Sequence, residues 1–434
     1  MERGIRWHDG ELLDADDVCF TVEALLSPAN PSPLRPKLQP YLAGCEVEGD
    51  QAVIRLVAPH HHPLHLLDFA VLPQHVFDST TIPPDHPFAA APIGTGPLRV
   101  EQWSPTALEL RAPARSRRAP PLRRVSVRGP GDPEAVVQLL LDGVVDGIVD
   151  IRPDLRARLV DHDDVGLQPY DTHTWWFAAL DTHHGPLRHV EVRHALEAAL
   201  DREALRERTL GRHSDGPTSP MTFISGPFVP ASPSSDRSLA PRPGADLAAV
   251  ETHLVSAGAH RVGEQWHLAE GAIALEIGLL HDYSIELPGL LPELVAQLEV
   301  AGLQAAARVL GPEQSAAALR GELSGELDIL VGGWSRGLLE DVAPVFGSRI
   351  DDRGRHNVFD FSDAETDRLL AAHTRARTEE EARDAAHALQ RHLSEVRPSL
   401  FLWTLDTKSA WSLDLRGNAI APTYYFQDFD RWTW

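Results

Sequence analysis

Helix-like and strand-like segments alternate along the second half of this 434-residue chain, and no other feature constrains its fold as strongly. The spacing of apolar residues predicts helices over 246–257, 288–301, 312–323 and 379–396, and strands over 272–280, 304–310 and 327–333. Such alternation is typical of the α/β class, and it indicates a core built from sheets covered by helices.

The first half carries shorter patterns of the same kinds. Its predicted elements are a helix over 14–26 with Asp14 as N-cap, a hairpin over 45–57, strands over 107–112 and 123–128, a helix and short strand over 133–151, and a helix over 190–208. Residues 217–243 hold seven prolines and six serines without periodicity, so this stretch is the most linker-like in the chain.

Charge and composition exclude several classes of protein. The net charge of −23 argues against nucleic acid and against an anionic membrane surface as partners, because both are bound through Lys and Arg. No apolar run approaches the roughly 20 residues of a membrane-spanning helix. Cys19 and Cys45 are expected as two buried free thiols, with a single disulfide as the alternative. No secretion signal follows Met1, so the protein is cytoplasmic or the chain begins downstream of its true start.

Two short motifs suggest chemistry. Gly333-Trp-Ser-Arg-Gly337 fits the nucleophile elbow of α/β-hydrolases, with Asp360 or Asp363 as the acid and His373, His387 or His392 as the base. The elbow needs a helix directly after the serine, and Gly337 and Pro344 interrupt the segment where that helix would lie, so a chance match is favoured. His60-His-His-Pro-Leu-His65 carries metal-binding side chains, but Pro63 breaks any helix that would align them, which favours a solvated loop.

Aromatic residues cluster near predicted strand ends. The group comprises Trp175, Trp176, Phe177, Trp334, Trp403 and the segment Tyr424–Phe426. Aromatic side chains in such positions can line an apolar cleft for a small ligand, or they can belong to the ordinary core. Both interpretations remain open from the residues alone.

Several segments, in order, resemble the family-5 bacterial extracellular solute-binding proteins, which are the dipeptide, oligopeptide and nickel receptors of ABC importers. The segments that carry the resemblance are 3–18 (Arg-Gly-Ile-Arg-Trp-His-Asp-Gly, then Asp-Ala-Asp-Asp-Val), 92–97 (Pro-Ile-Gly-Thr-Gly-Pro), 141–147, 190–202 (Val-Glu-Val-Arg-His-Ala-Leu, then Asp-Arg), 325–334 (Gly-Glu-Leu-Asp, then Gly-Gly-Trp) and 367–370 with the residues from Pro398 onward. Each match alone is weak, but their shared order along nearly the whole chain is specific.

The resemblance implies a periplasmic-binding-protein-like clamp of three lobes with mixed α/β sheets. The lobes would be residues 1–97, residues 98–230 with 408–434, and residues 231–407. The ligand-binding residues would be Gly333, Trp334, Ser335, Gly337, Asn357, Trp403 and Thr404. The backbone of the first three would pair with an extended ligand, as in strand addition.

The chain departs from the family pattern at two places. Peptide-binding relatives have an Asp three residues after the Gly-Trp tryptophan, and it holds the α-ammonium group of the ligand. Gly337 stands at that position here, with Glu340 and Asp341 nearby. The relatives also carry a secretion signal and further strands before the first motif. The expectation is therefore a first lobe whose opening strands lie outside this sequence.

The resemblance predicts a solute-binding component of a peptide-type ABC importer. It would be monomeric, without catalysis, cofactor or metal, extracytoplasmic, and partnered by a peptide or similar small solute and by permease subunits. The alternatives are a cytoplasmic ligand-sensing module of a regulator, a serine hydrolase that uses Ser335, and capture of nickel or haem by the run His60–His65.

Overall fold

The structure is a computed structural model with five sheets among the residues that it describes, and its class is mixed α/β as predicted. It describes residues 4–113, 120–129, 131–152, 155–160, 162–170, 174–210, 221–283, 287, 289–335, 340–348, 356–405, 407–418, 420, 426 and 428–434. The chain forms two compact units, Met1–Tyr170 with Lys408–Trp434, and Asp171–Thr407. The three-lobed division stays a prediction.

The first unit contains four helices and three small sheets in its described part. Its helices are α1 Ala15–Leu26, α2 Arg35–Leu38, α3 Pro133–Leu141 and α4 Ala157–Val160. Its strands are β1 Leu42–Glu48, β2 Gln51–Leu56, β3 Arg99–Ser104, β4 Ala107–Arg111, β5 Arg124–Arg128, β6 Gly147–Ile148 and β7 Val165–Tyr170, with β17 Thr407–Ser412. The sheets have the orders β1-β2, β3-β4-β5 and β6-β17-β7. The predicted hairpin and the predicted strands near 107 and 123 are therefore present.

Helix α1 organises the beginning of this unit. Asp14 and Asp17 form a capping box at its N-terminus, as the acidic start of the predicted helix suggests. The buried Asp17 carboxylate also accepts hydrogen bonds from Trp7 Nε1 (3.0 Å) and from the backbone N–H of Gln74 (2.7 Å). Thr21 Oγ1 accepts from the backbone N–H of Leu72 at 2.8 Å. The helix thus holds both the preceding segment and the 72–74 segment in place.

The prediction of two free thiols is wrong. Cys19 in α1 and Cys45 in β1 form a disulfide, with their Cα atoms 5.0 Å apart. The helix packs on the hairpin and brings together two residues that are 26 positions apart, which no local pattern reveals. Closing a loop of this length contributes on the order of 3 kcal/mol to stability.

The second unit is built on a six-stranded sheet. Its helices are α5 Val190–Ala199, α6 Arg202–Leu210, α7 Leu247–Ser256, α8 Leu290–Val300, α9 Pro312–Leu319, α10 Ala343–Phe346, α11 Ala364–Thr374 and α12 Glu379–Val396. Its strands are β8 Thr174–Leu180, β9 Met221–Phe223, β10 His260–Val262, β11 Gln265–Leu268, β12 Gly271–Ala272, β13 Ala274–Leu279, β14 Gln304–Val309, β15 Ile329–Ser335 and β16 Ser399–Leu405. All the strands and helices that the sequence predicts after residue 245 are present; the helix over 379–396 has its predicted ends, and the others are shifted by a few residues at one end or both.

The six-stranded sheet has the order β14-β13-β15-β8-β16-β9. The strands β14, β13 and β15 run parallel to one another, and β8 pairs antiparallel with both β15 and β16. Helices α5, α7 and α8 supply one apolar core of the unit, and α10, α11 and α12 supply a second. Both faces of the central strands are therefore buried, as a sheet between two helical layers requires.

The predicted helix over 190–208 is interrupted. It ends at Ala199, Leu200 is extended, and α6 begins at Arg202. Arg202 is 1% exposed, and its guanidinium donates to the carbonyls of Phe401 (2.7 Å) and Arg242 (3.0 Å) and to Glu197 (2.8 Å). These long-range contacts hold the break, although the apolar spacing continues through it.

A second buried arginine in the same segment anchors the end of α12. Arg193 donates to the carbonyls of Leu187 and Val396, each at 2.6 Å. Burial and the nearby charge of Arg397 lower the pKa of Arg193 to about 10. The two arginines of the family-like segment 190–202 are therefore structural.

The described part of the linker-like stretch, residues 221–243, does not connect two separate domains. Met221–Phe223 forms β9 at the edge of the six-stranded sheet, and Phe228 is buried in the core with α11 and α12. The many prolines prevent regular structure but do not prevent packing. Within the described ranges, no helix combines the length and apolar character needed to cross a bilayer.

Candidate functional site

Strand β15 extends beyond its parallel neighbour. It pairs with β13 only from Ile329 to Val331, whereas its pairing with β8 continues to Ser335. Among the residues that the structure describes, the four residues Gly332–Ser335, which we call the overhang, therefore pair as strand on one side only. An unpaired strand edge offers backbone donors and acceptors to another extended chain.

The direction of the backbone groups in the overhang is defined by two hydrogen bonds. The carbonyl of Val331 accepts from the N–H of Leu280 (3.3 Å), and the carbonyl of Gly333 accepts from the hydroxyl of Tyr283 (3.2 Å). Both carbonyls thus face the side where β13 has ended. Because backbone groups alternate along a strand, those of Ser335 face the same side.

The overhang also lies where parallel sheets bind ligands. The chain leaves β13 for α8 and β14 on one side of β13, and it later adds β15 on the other side. The carboxyl ends of these three parallel strands lie at one edge of the sheet. In open α/β sheets, ligands bind outside the carboxyl ends where the strand order reverses. Topology and the family-like motif Gly333–Ser335 thus indicate the same place.

Aromatic rings cover both faces of the sheet beside the overhang. On one face, the rings of Trp176 and Tyr283 lie 4.5 Å apart, and a Cβ on Gly333 would stand 3.5 Å from Tyr283. On the other face, Trp334 contacts His356 with ring centroids 4.3 Å apart. Tyr283 was not predicted from the sequence, because it lies four residues after β13 and belongs to no motif.

The structure separates the predicted ligand-binding residues into groups. Gly333, Trp334 and Ser335 lie together in the overhang, and Gly337 is outside the described residues. Trp403 is 0% exposed and Thr404 5% exposed, and their backbones pair with strands on both sides. Their side chains belong to the interior of the sheet.

Asn357 has a local role in the loop before α11. Its side-chain amide donates to the carbonyls of Gly347 (3.0 Å) and Phe361 (2.7 Å), and its Oδ1 accepts from the N–H of Phe361 (2.8 Å). This amide closes the loop, so a ligand contact by Asn357 stays a prediction. The overhang is the part of the predicted site that the geometry favours.

The opposite end of β8 and β15 carries two acidic residues in place of aromatic rings. The Asp181 carboxylate accepts from the N–H groups of His183 (3.0 Å) and Gly325 (3.1 Å) and from Ser324 Oγ (3.0 Å). Burial acts to raise the pKa of Asp181, but these hydrogen bonds and one from His184 outweigh it, and the pKa lies below its usual value. We call this end of β8 and β15, where the Asp181 carboxylate holds the adjoining turns by hydrogen bonds, the closed sheet end.

Asp328, the acid of the family-like segment 325–334, lies beside it. Its Oδ2 accepts from the N–H of Glu276 at 2.8 Å. Burial raises the pKa of Asp328, and the charge of Asp181 adds to the rise. The motif aspartate therefore lies next to the closed sheet end, away from the overhang along β15.

Of the residues named for the hydrolase alternative, the structure pairs the acid Asp363 with the base His392. Ser335 ends β15 opposite Thr174, and residues 336–337 of the elbow motif are outside the described residues. Asp363 is the N-cap of α11, where it accepts from Thr366 N at 2.7 Å and lies 2.6 Å from His392 Nε2. Burial raises the pKa of Asp363, but hydrogen bonds from Thr366 and His392 outweigh it and lower the pKa. Asp363 thus serves as a helix cap.

The histidine run forms a row of stacked rings. The centroids of His60 and His61 lie 4.6 Å apart, as do those of His62 and His65. Across the part of the chain that the structure describes, no group of three or more His, Cys, Asp or Glu residues is arranged to hold a metal ion. The stack gives the metal-capture alternative no support.

Known proteins of similar fold bind different solutes. NikZ from Campylobacter jejuni in complex with Ni(L-His) has a TM-score of 0.81 at 20% identity, over 100% of this chain and 87% of that chain. AppA from Bacillus subtilis in complex with a nonapeptide has a TM-score of 0.74 at 19% identity, over 100% and 86%. NikA from Brucella suis in complex with Fe(III)-EDTA has a TM-score of 0.82 at 18% identity, over 100% and 87%. At these identities, the likeness establishes the fold alone.

No curated protein matches the chain. The sequence itself matches a family described as "Bacterial extracellular solute-binding proteins, family 5 Middle" over residues 2–348. This match covers about four fifths of the chain and confirms the resemblance noted from its motifs. Members of the family are extracytoplasmic substrate-binding proteins of ABC importers, and they are not enzymes. The chain belongs to the family-5 bacterial extracellular solute-binding proteins.

Proposed function

We propose that this protein is the receptor of a peptide-type ABC importer and that it binds an extended, peptide-like solute along the overhang Gly332–Ser335. The single observation that carries the proposal is the four-residue extension of β15 beyond β13, along which no described strand pairs with the second edge. Backbone pairing of this kind binds an extended chain with little dependence on its side chains.

The surrounding residues suggest how such a solute is held. The Gly333 carbonyl already accepts from the Tyr283 hydroxyl, so the N–H and C=O of Ser335 offer the more accessible pairing groups. Trp334 is half-buried, and its ring is available to pack on an apolar side chain of the solute. We assign no part in this contact to the side chains of Trp403 and Thr404, which are buried.

The proposal includes delivery to permease subunits, a monomeric state, no catalysis and an extracytoplasmic location. The Cys19–Cys45 disulfide supports the location, because disulfides persist in oxidising compartments and are rare in the cytosol. This observation also weighs against a cytoplasmic sensor. The distinguishing measurement is the oxidation state of the two cysteines in protein that is trapped directly from cells with an alkylating reagent.

The test uses one backbone change and one matched side-chain change. Proline at Ser335 removes the N–H that is expected to face the solute, and it tolerates the extended conformation of a strand end. Thermal-shift scans against pools of di- to pentapeptides would compare wild type, Ser335→Pro and Ser335→Ala. A solute at 100 times its Kd adds about 2.7 kcal/mol of stability. We expect this gain in wild type and Ser335→Ala and its loss in Ser335→Pro.

Other outcomes distinguish the alternatives. Equal binding by all three proteins would contradict pairing at Ser335, while leaving a peptide receptor intact. A cooperative melt that no peptide pool shifts would contradict the peptide class and direct the search to metal chelates and other small solutes. Ester hydrolysis by wild type that is abolished in Ser335→Ala would establish the hydrolase instead.

A further inference from the structure

An open groove of about 610 Å³ lies within the first unit. Helix α1 forms one wall, strand β1 a second, and residues 74–80 the third. Phe20 and Phe77 stack across it with their ring centroids 5.5 Å apart. Both Cys19 and Cys45 line this groove, so the disulfide forms part of its wall.

The two half-cystines differ in accessibility. Cys19 is 6% exposed because it faces the hairpin from the middle of α1. Cys45 lies in β1, where the residues become more exposed toward the turn, and it is half-buried. More of Cys45 than of Cys19 is therefore exposed to a small molecule that enters the groove.

The groove is lined by acidic residues without basic ones. Its lining includes Asp16, Glu23, Glu46 and Asp78, all exposed, and no Lys or Arg is among its lining residues in the part of the chain that the structure describes. Glu46 forms an ion pair with Arg55 at 2.6 Å, which offsets part of its charge. Such a wall attracts cations and repels anions at low ionic strength.

We propose that the Cys19–Cys45 disulfide is a thiol-exchange site that favours small cationic aminothiols. In the step, the thiolate of the aminothiol attacks Cys45 Sγ, the Cys19–Cys45 bond breaks, and a mixed disulfide forms on Cys45. Cys19 leaves as a thiolate and takes a proton from water. The two electrons of the broken bond stay on Cys19 sulfur, and the thiol is the only co-reactant.

The structure also indicates what opening the bond releases. The third wall of the groove is held to the rest of the unit by hydrogen bonds that do not involve the disulfide. Asp17 accepts from Gln74, Thr21 accepts from Leu72, and Asn30 donates to the carbonyl of Thr80 at 2.7 Å. In the hairpin β1–β2, the side-chain hydrogen bond from Arg55 to Glu46 joins the two strands to each other and not to α1. Exchange therefore loosens the hairpin and leaves residues 72–80 in place.

The experiment compares two thiols of opposite charge on the purified protein. Rates of bond opening by 2-aminoethanethiol and by 2-mercaptoethanesulfonate would be measured and divided by the rates of the same thiols with 2-hydroxyethyl disulfide. This ratio removes their difference in thiolate reactivity. We expect the cationic thiol to be favoured by about tenfold at low salt and the preference to vanish near 1 M salt. Alkylation and peptide mapping should find the adduct on Cys45 and a free thiol at Cys19.

Two variants test the source of the preference. Asp16→Asn with Glu23→Gln should lower the cationic preference by several-fold, while Glu134→Gln with Asp163→Asn, which removes two charges outside the groove, should leave it unchanged. Hydrogen exchange of the opened protein should accelerate in residues 42–56 and not in 72–80. An adduct on Cys19, equal rates for the two thiols, or no opening by either thiol would each overturn the proposal.

Discussion

The two ends of strands β8 and β15 are built from the same pair of strands and yet have opposite properties. At one end, the buried Asp181 carboxylate collects hydrogen bonds from backbone and side-chain donors and fixes the turns around it. At the other end, β15 continues past β13 as the overhang, with Trp334 and Ser335 only partly covered. The comparison teaches that hydrogen bonds can fix one end of a strand while its other end keeps backbone groups for pairing with a ligand.

The largest expected effect is a difference in stability between a buried and a half-buried tryptophan at the overhang end of β8 and β15, which we call the open end. Trp175 and Trp334 are cross-strand partners on one face, but Trp175 is 0% exposed whereas Trp334 is half-buried. We expect Trp175→Ala to lower the free energy of unfolding by about 3 to 5 kcal/mol and Trp334→Ala by less than half of that. Urea unfolding of both variants checks this. Equal losses of unfolding free energy would contradict the expectation and show that Trp334 contributes as much to the core as Trp175 does.

The next effect concerns the closed end. Asp181→Ala removes the carboxylate that accepts several hydrogen bonds. The N–H groups of His183 and Gly325 then lose their hydrogen-bond acceptor. We expect a loss of about 3 kcal/mol in unfolding free energy and no change in the affinity for a solute. Asp181→Asn keeps an acceptor oxygen and serves as the milder control. A stable Asp181→Ala protein would show that this end is not locked.

The pH dependence of stability should have opposite signs at the two acids of the closed end. The lowered pKa of Asp181 stabilises the fold above its unfolded pKa, and this contribution is lost as the pH falls through its folded pKa. The raised pKa of Asp328 destabilises the fold as the pH rises from about 3.8 through its folded pKa. Asp328→Asn should therefore raise the free energy of unfolding at pH 7 and leave it unchanged near pH 3. The unfolding free energies of wild type and Asp328→Asn, measured from pH 3 to 7, check this. A loss of stability in the variant that is the same at every pH would contradict it.

The smallest effect is at the overhang itself. Tyr283→Phe removes the hydroxyl that donates to the Gly333 carbonyl and should cost about 0.5 to 1 kcal/mol of stability. The freed carbonyl becomes available to a donor on the solute, so solute affinity should stay equal or rise. Isothermal titration checks the affinity. Weaker binding by Tyr283→Phe would place the hydroxyl, and not the carbonyl behind it, in contact with the solute.

Local patterns predicted the elements that local interactions stabilise. The capping acids of α1, the hairpin β1–β2 and helix α12 with its acidic first turn lie where the sequence indicated. The predicted α/β class was confirmed in the described residues, and the predicted family was confirmed by the match over residues 2–348. Within the candidate site, the motif Gly333–Ser335 was found from sequence, because its residue types are matched in order with other segments of the family.

The features that could not be predicted from the sequence depend on distant partners. The break after Ala199 is held by Arg202 through Phe401 and Arg242, and the disulfide needs α1 to pack on β1. The overhang exists because β15 pairs over a longer range with β8 than with β13. The Tyr283 side chain reaches the site by packing on Trp176. None of these leaves a periodic or compositional trace in its own segment.

The length of the overhang has a consequence for the size of the cargo. Four extended residues span about 13 Å, and only alternate residues turn their backbone toward the free edge. The described part of this edge thus matches about two peptide units of the solute proposed above. For such a solute, a series of peptides of growing length should reach a plateau in affinity after the first few residues.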